Sequence, residues 1–186
     1  RLIRSATLTV ELAGIRLLID PWLAVKGEGR SYSGRGPSPL VDLPVPVSEL
    51  LQGVDAVLVS HLHPDHFDEV AQQVLPKPMP ILCQARDRDP IAAMGFSDVQ
   101  AIGDGTAVGG VTIRTTDGRH GPPEVLDDMG EVSGFLISAA GEPTLYWAGD
   151  TIPVFDPATG QERRAHIFVA ALGASNYTYA EARWSE

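Results

Sequence analysis

The chain has 186 residues, 44 % of them hydrophobic, a length and composition that predict a single globular domain over 1–186 with a buried core. Its formal charge of −10 argues against a general affinity for nucleic acid, and two bound divalent cations, adding +4, would still leave about −6. No apolar run approaches the twenty or so residues that span a bilayer, and the opening "RLIRSATLTVEL" lacks a signal-peptide apolar core, so no transmembrane segment and a cytoplasmic location are expected.

In chain order, "TLTVELAGIRLLIDP" is two apolar-rich runs joined at Ala13 and Gly14, which predicts a β-hairpin. Residues 24–46 are rich in Gly, Ser and Pro without a sustained period; a loop of that length is expected beside the functional site, selecting substrate. A short helix near "VSELLQG" and a continuous apolar strand "VDAVLVS" follow, and after "HLHPDHFD" the residues carry a helical pattern. "MPILCQ" reads as a strand, "DPIAAMGF" as a helix capped by Asp89 with Pro90 in its first position, and "VQAI" as a strand. Two hairpins close the readable pattern, one turning at Gly109 and Gly110, the other near Ala140 to Pro143. Two sheets covered by helices are the expected result. The single cysteine, Cys83, lies in an apolar run and reads as a small buried hydrophobe.

The chemistry concentrates at 61–68. His61, His63, Asp65, His66 and Asp68 fall within eight positions of a chain that has only five histidines, directly after an apolar strand. A single such residue would be read as structural, but a cluster of imidazole and carboxylate needs a cation to offset crowding and desolvation. His120 in "DGRHGP" and Asp150 in "AGDT" are weak signals alone, yet each also follows an apolar strand, and loops at one end of a sheet can converge. One or two divalent ions are expected, zinc first, with manganese or iron also suited to the carboxylates.

Through "HLHPDH", "RHG" and "AGDT", in that order, the sequence resembles the metallo-β-lactamase superfamily of metal-dependent hydrolases. "GIRLLIDPWL" and the continuation Phe67, Asp68 are most similar to its L-ascorbate-6-phosphate lactonase-like branch. The resemblance implies a four-layer αββα sandwich, with its C-terminal part shortened. It implies a first metal on His61, His63 and His120, a second on Asp65 and His66, and Asp150 bridging them. Zinc would then sit about 2.0 to 2.1 Å from the first site's nitrogens. A metal-bound hydroxide would cleave an ester-like bond, lactone or phosphoester, of a small-molecule substrate, with Asp65 as the catalytic carboxylate that orients the water and takes its proton. Asp68 is expected to support the turn or to favour the helix N-terminus.

Two other readings stand beside this one: a phosphodiesterase resembling the N-acylphosphatidylethanolamine phospholipase D type, and a metal-binding member of the fold without turnover. Lys26, Arg35 and Arg119 are candidate anion contacts, although solvated loop charges are the better reading of each. The fifth histidine, His166, begins the apolar run "HIFVAALG" instead of following one, so it is expected not to be a ligand. The second metal would then be short of one protein ligand, and the exposed sheet edge would need a cover, with a homo-oligomer as one solution.

Overall fold

The computed structural model describes residues 1–29, 36–121, 124 and 126–151, and the backbone of four strands within 154–184. The N-terminal half is built on one six-stranded sheet, β1 (Leu2–Arg4), β2 (Thr7–Leu12), β3 (Ile15–Ile19), β4 (Ala56–Val59), β5 (Ile81–Cys83) and β6 (Val99–Ala101), side by side in that order. β1 to β3 form an antiparallel meander, and β3 to β6 run parallel. The β2–β3 turn falls at Ala13 and Gly14, both at positive φ, where the sequence placed it. β1 extends the meander by one strand that the alternation did not announce.

The parallel strands read as unbroken apolar runs because both of their faces are covered. In β4, Val57 and Val59 face a cluster with Leu50, Ala71 and Ile91, while Ala56 and Leu58 face one with Val111, Ile113, Phe135 and Ile137. Period-two alternation thus assigns each side chain to one of two cores. The first core lies under three short helices, α1 (Val47–Leu50), α2 (Glu69–Val74) and α3 (Arg88–Ala93). The second lies between the six-stranded sheet and a four-stranded one. That sheet contains β7 (Thr106–Val108), β8 (Val111–Asp117), β9 (Ser133–Ala139) and β10 (Leu145–Trp147), ordered β10-β9-β8-β7. The described residues therefore show a helical layer on two facing sheets, a mixed α/β sandwich. A further one-turn helix, α4 (Leu126–Met129), lies between β8 and β9.

One helix boundary differs from the sequence reading. α3 starts at Arg88 after Asp87, because a 3-10 turn at Ala85–Asp87 runs directly into it. Asp89 is therefore inside the first turn, and Pro90 stands where its missing N–H costs nothing, since first-turn donors have no helical partner.

Beyond β10 the backbone forms two separate ribbons, β11 (Val154–Phe155) with β12 (Glu162–Arg163), and β13 (Ala165–Leu172) with β14 (Tyr177–Trp184). Among the described residues neither ribbon is hydrogen-bonded to the two large sheets. Among the described residues no helix is long and apolar enough to cross a membrane.

Candidate metal centre

The geometry of the site follows from strand direction. β3 and β4 are parallel, so Asp20 and the Ser60–His61 pair leave the six-stranded sheet at one end. β8 and β10 are both antiparallel to β9 and thus parallel to each other, so the loops carrying His120 and Asp150 leave the second sheet together. The loops are tied to one another where Arg119 N–H donates to Thr151 Oγ1 at 2.8 Å. Two glycines permit the close approach. A Cβ on Gly118 would collide with the Val132 backbone, and Gly149, at φ +57°, turns the chain immediately before Asp150.

Four donors meet. His61, His63, His120 and Asp150 each offer one ligand atom, all within 4.8 Å of one another. Asp150 lies between two groups of imidazoles: Oδ2 is 3.2 Å from His120 Nε2 and 3.9 Å from His61 Nε2, while Oδ1 is 3.2 Å from His66 Nε2. The ring centroids of His61 and His66 are 4.1 Å apart, and those of His61 and His63 are 4.3 Å apart. Asp65 sits on the same turn near His63, whose pKa it acts to raise.

Beneath the ligands lies a buried network centred on Asp20, to which the sequence reading gave no role. Asp20 is fully buried, and its Oδ2 accepts from Ser60 Oγ at 2.8 Å, Trp147 Nε1 at 3.0 Å and His66 Nδ1 at 3.0 Å. Its Oδ1 accepts from Ser60 N–H at 2.7 Å. Since the Ser60 hydroxyl donates to Asp20, it accepts from His61 Nδ1 at 3.0 Å. Both histidines thereby carry their ring hydrogen on Nδ1, leaving each Nε2 turned to the site, a tautomer assignment inferred from the network. The signal in the sequence was an aspartate ending the otherwise apolar run "IRLLID", a carboxylate that must be paired if buried.

The unsatisfied atoms fit a cation. Among the described residues His61 Nε2 and Asp65 Oδ1 are buried without a hydrogen-bond partner, a situation that costs about 1 to 3 kcal/mol each unless another group binds them. Burial, reinforced by His66 and His63, pushes the His61 pKa down, so this ring stays neutral, as a metal ligand must be. Burial and His120 lower His63 as well. His66 goes the other way: burial opposes its charge, but hydrogen bonds to Asp150 and Asp20 prevail and raise it to about 10. For Asp150, burial is outweighed by the His66 hydrogen bond and charge, and its pKa falls. A proton on His66 Nε2 and a cation would therefore compete for the place between that nitrogen and Asp150.

Asp68 is the N-cap of α2. Its Oδ1 accepts from Ala71 N–H at 2.8 Å and Leu23 N–H at 3.2 Å, and Oδ2 from Ala24 N–H at 2.6 Å. One buried carboxylate therefore fixes both the helix start and the loop leaving β3. Ala24, Glu28 and Gly29 of the 24–46 loop line, with Leu62, Pro64 and Gln72, a cavity of about 470 Å³. None of the six candidate ligands lines it. Lys26 and Arg119 are exposed, and Arg35 lies outside the described residues, as does the side chain of His166.

The chain belongs to the beta-lactamase superfamily in its metal-dependent branch: residues 15–179 match the Beta-lactamase superfamily domain. It is similar to the UPF0173 protein YddR of Bacillus subtilis, 41 % identical over 81 % of this chain and 61 % of that protein. Among solved structures it is similar to a possible metal-dependent hydrolase from Veillonella parvula, with 37 % identity, TM-score 0.77, and 81 % of this chain and 62 % of that one covered. It is also similar to an isothiocyanate hydrolase from Delia radicum gut bacteria, with 41 % identity, TM-score 0.73, and 82 % and 62 % covered. The chain thus spans about three fifths of the length of these relatives. A second kind of match is short: 34 residues, 18 % of the chain, are 79 % identical to an insertion-sequence transposase of Pseudomonas fluorescens and cover 6 % of it.

Proposed function

We propose that this chain carries the metal centre of a hydrolase that cleaves a small electrophilic substrate with an ion held by His61, His63, His120 and Asp150. The observation that carries the reading is the convergence of these four donors on one point, with His61 Nε2 buried and unpartnered. A bound divalent ion would lower the pKa of its water toward 7 and polarise the substrate's electrophile. Zinc is the first candidate, because three imidazoles and one carboxylate suit a four-coordinate borderline ion.

The chain's own groups divide the remaining work. Asp20, through His66 and through Ser60 and His61, holds the rings in one tautomer. Asp65, with one oxygen buried and unpartnered, is placed to orient the attacking water and take its proton. Asp150 faces His61 and His120 with one oxygen and His66 with the other, so it would be shared if a second ion were held, with His66 and Asp65 as that ion's further donors.

The ligands do not choose the electrophile. A lactone carbonyl, a phosphoester and the central carbon of an isothiocyanate all accept a hydroxide, and the last is the substrate class of a relative 41 % identical to this chain. Isothiocyanate therefore heads a panel with a lactone and a chromogenic phosphodiester, assayed with zinc, manganese or iron added. Turnover of at least one, lost in His63→Ala together with the metal, is the expected result. Asp65→Asn is expected to keep the metal held by His61, His63, His120 and Asp150 and to lose roughly a hundredfold in kcat. Tight metal binding without turnover on any substrate would leave only a metal-binding module.

A further inference from the structure

The short transposase match raises the question of where it lies. The hydrolase relative covers 81 % of the chain and the transposase 18 %, which together make 99 %. Two stretches of those sizes can be separate only if the shorter occupies one end. The N-terminal end is taken, because β2 and β3 pair with each other and β3 with β4 inside the six-stranded sheet that leads to the candidate site. At the other end, 34 residues is the length from Pro153 to Glu186.

The identity changes at this edge: 79 % of 34 residues, or 27 identical positions, on the transposase side. That far exceeds the 41 % of the hydrolase side. The superfamily match runs on to residue 179, across this edge, but a family-wide pattern tolerates mismatch over its last stretch in a way that residue identity does not.

The backbone changes at the same place. Among the described residues every strand of the two large sheets lies between Leu2 and Trp147, whereas β11 pairs only with β12 and β13 only with β14. All candidate donors from His61 to Asp150 precede the edge; His166 follows it, in register with Arg183 of its own ribbon.

We infer that the chain is a composite joined close to Ile152: a metal-holding part of the hydrolase family, followed by a segment of about 34 residues of transposase ancestry that supplies neither a ligand nor a strand to the metal-holding sandwich. The fifth histidine therefore plays no part at the metal centre. The inference rests on metal binding by the preceding site and not on the choice of substrate.

Hydrogen exchange of the full chain, with zinc and after chelation, tests it directly. Zinc is expected to slow exchange at 56–66, 118–121 and 148–150 and to leave 165–172 and 177–184 unchanged. Zinc-dependent protection of the latter strands would overturn the inference. A second measurement uses full-length Val169→Asp/Ala171→Asp and, separately, His166→Ala. Zinc per chain and the melting temperature of the metal-bound protein are expected to stay within about 3 °C and the error of metal analysis. A drop of about 10 °C or more, misfolding, or loss of zinc in either variant would make the segment an integral part of the hydrolase. Zinc protection confined to the first region but without any turnover on the substrate panel would sink the proposed function and leave the composite standing.

Discussion

Asp20 is the residue through which two candidate ligands are oriented at once, since its carboxylate holds His66 directly and His61 through Ser60. Replacing it by Asn keeps the volume but sets an amide N–H2 among three donors, so His66 and Trp147 lose an acceptor. Partners of ligating histidines are typically worth 10- to 100-fold in metal affinity. Asp20→Asn is expected to weaken zinc by that factor, read by competition with a chromogenic chelator, while circular dichroism stays that of the parent; unchanged affinity would make Asp20 merely structural. Cys83 marks the opposite case, a group with no chemistry to do. It is fully buried, and burial, with the negative charge of Asp87, pushes its thiol up to about 12. The thiolate is the reactive form, so Cys83 is expected to resist labelling by a thiol reagent at pH 8 in the native protein and to react fully in denaturant. These residues also show what a sequence discloses. His61, His63, Asp65 and His66 are legible because they stand within six positions on one turn, the closeness that chelation by neighbours would require. Asp20, a lone carboxylate at the end of β3, reaches its partners Ser60, His66 and Trp147 only through the fold and leaves no spacing to read.

At the scale of elements, hairpins were legible where the turn itself demands a residue type. The β2–β3 turn at Ala13 and Gly14, and the β7–β8 turn at Gly109, adopt positive φ, and glycine signals that conformation from one position. α3 starts ahead of Asp89, the cap that the sequence offers, because a 3-10 turn leads into it, a continuation that has no marker comparable to a side-chain cap. α2 has that marker in Asp68, and more depends on it than the helix. The carboxylate accepts from three backbone N–H groups, two of them in the segment that leaves β3. Asp68→Ala would abandon all three donors in a buried setting, where a lost cap costs about 1 kcal/mol and each unsatisfied group adds to it. A destabilisation of about 2 to 4 kcal/mol is expected in urea unfolding. Asp68→Asn, which keeps one acceptor oxygen, should recover part of it; a loss below about 0.5 kcal/mol would show that the loop relaxes and rebinds water.

For the whole molecule, the sequence disclosed the order of strands and helices better than the manner of their closure. The two sheets are held face to face by Leu17, Ile19 and Leu58 against Ile113, Phe135 and Ile137, contacts between positions far apart in the chain whose pairing no local pattern specifies. At the edge of that core the ligands bring together the turn after β4, the loop after β8 and the loop after β10. Without a cation, this corner holds four imidazoles and three carboxylates, Asp20, Asp65 and Asp150, with His66 bound to Asp20 through one ring nitrogen and sharing a proton with Asp150 through the other. A cation would replace that proton and satisfy His61 Nε2 and Asp65 Oδ1, so binding should stabilise the folded chain and release protons. Because the unfolded chain presents no assembled site, free zinc at a hundred times its dissociation constant contributes about 2.7 kcal/mol, which for a chain of this size raises the melting temperature by roughly 5 to 10 °C. Chelation is expected to lower the melting temperature by that amount and zinc to restore it. Calorimetric titration in two buffers of different ionisation enthalpy should show net proton release, with apparent affinity rising with pH. His63→Ala, which removes a ligand from an accessible edge of the cluster, should abolish the zinc-dependent shift while leaving the chelated protein's own melting temperature close to the parent's. A parent protein that melts identically with and without zinc would show that the corner is self-sufficient and that its unpaired atoms are not there for a metal.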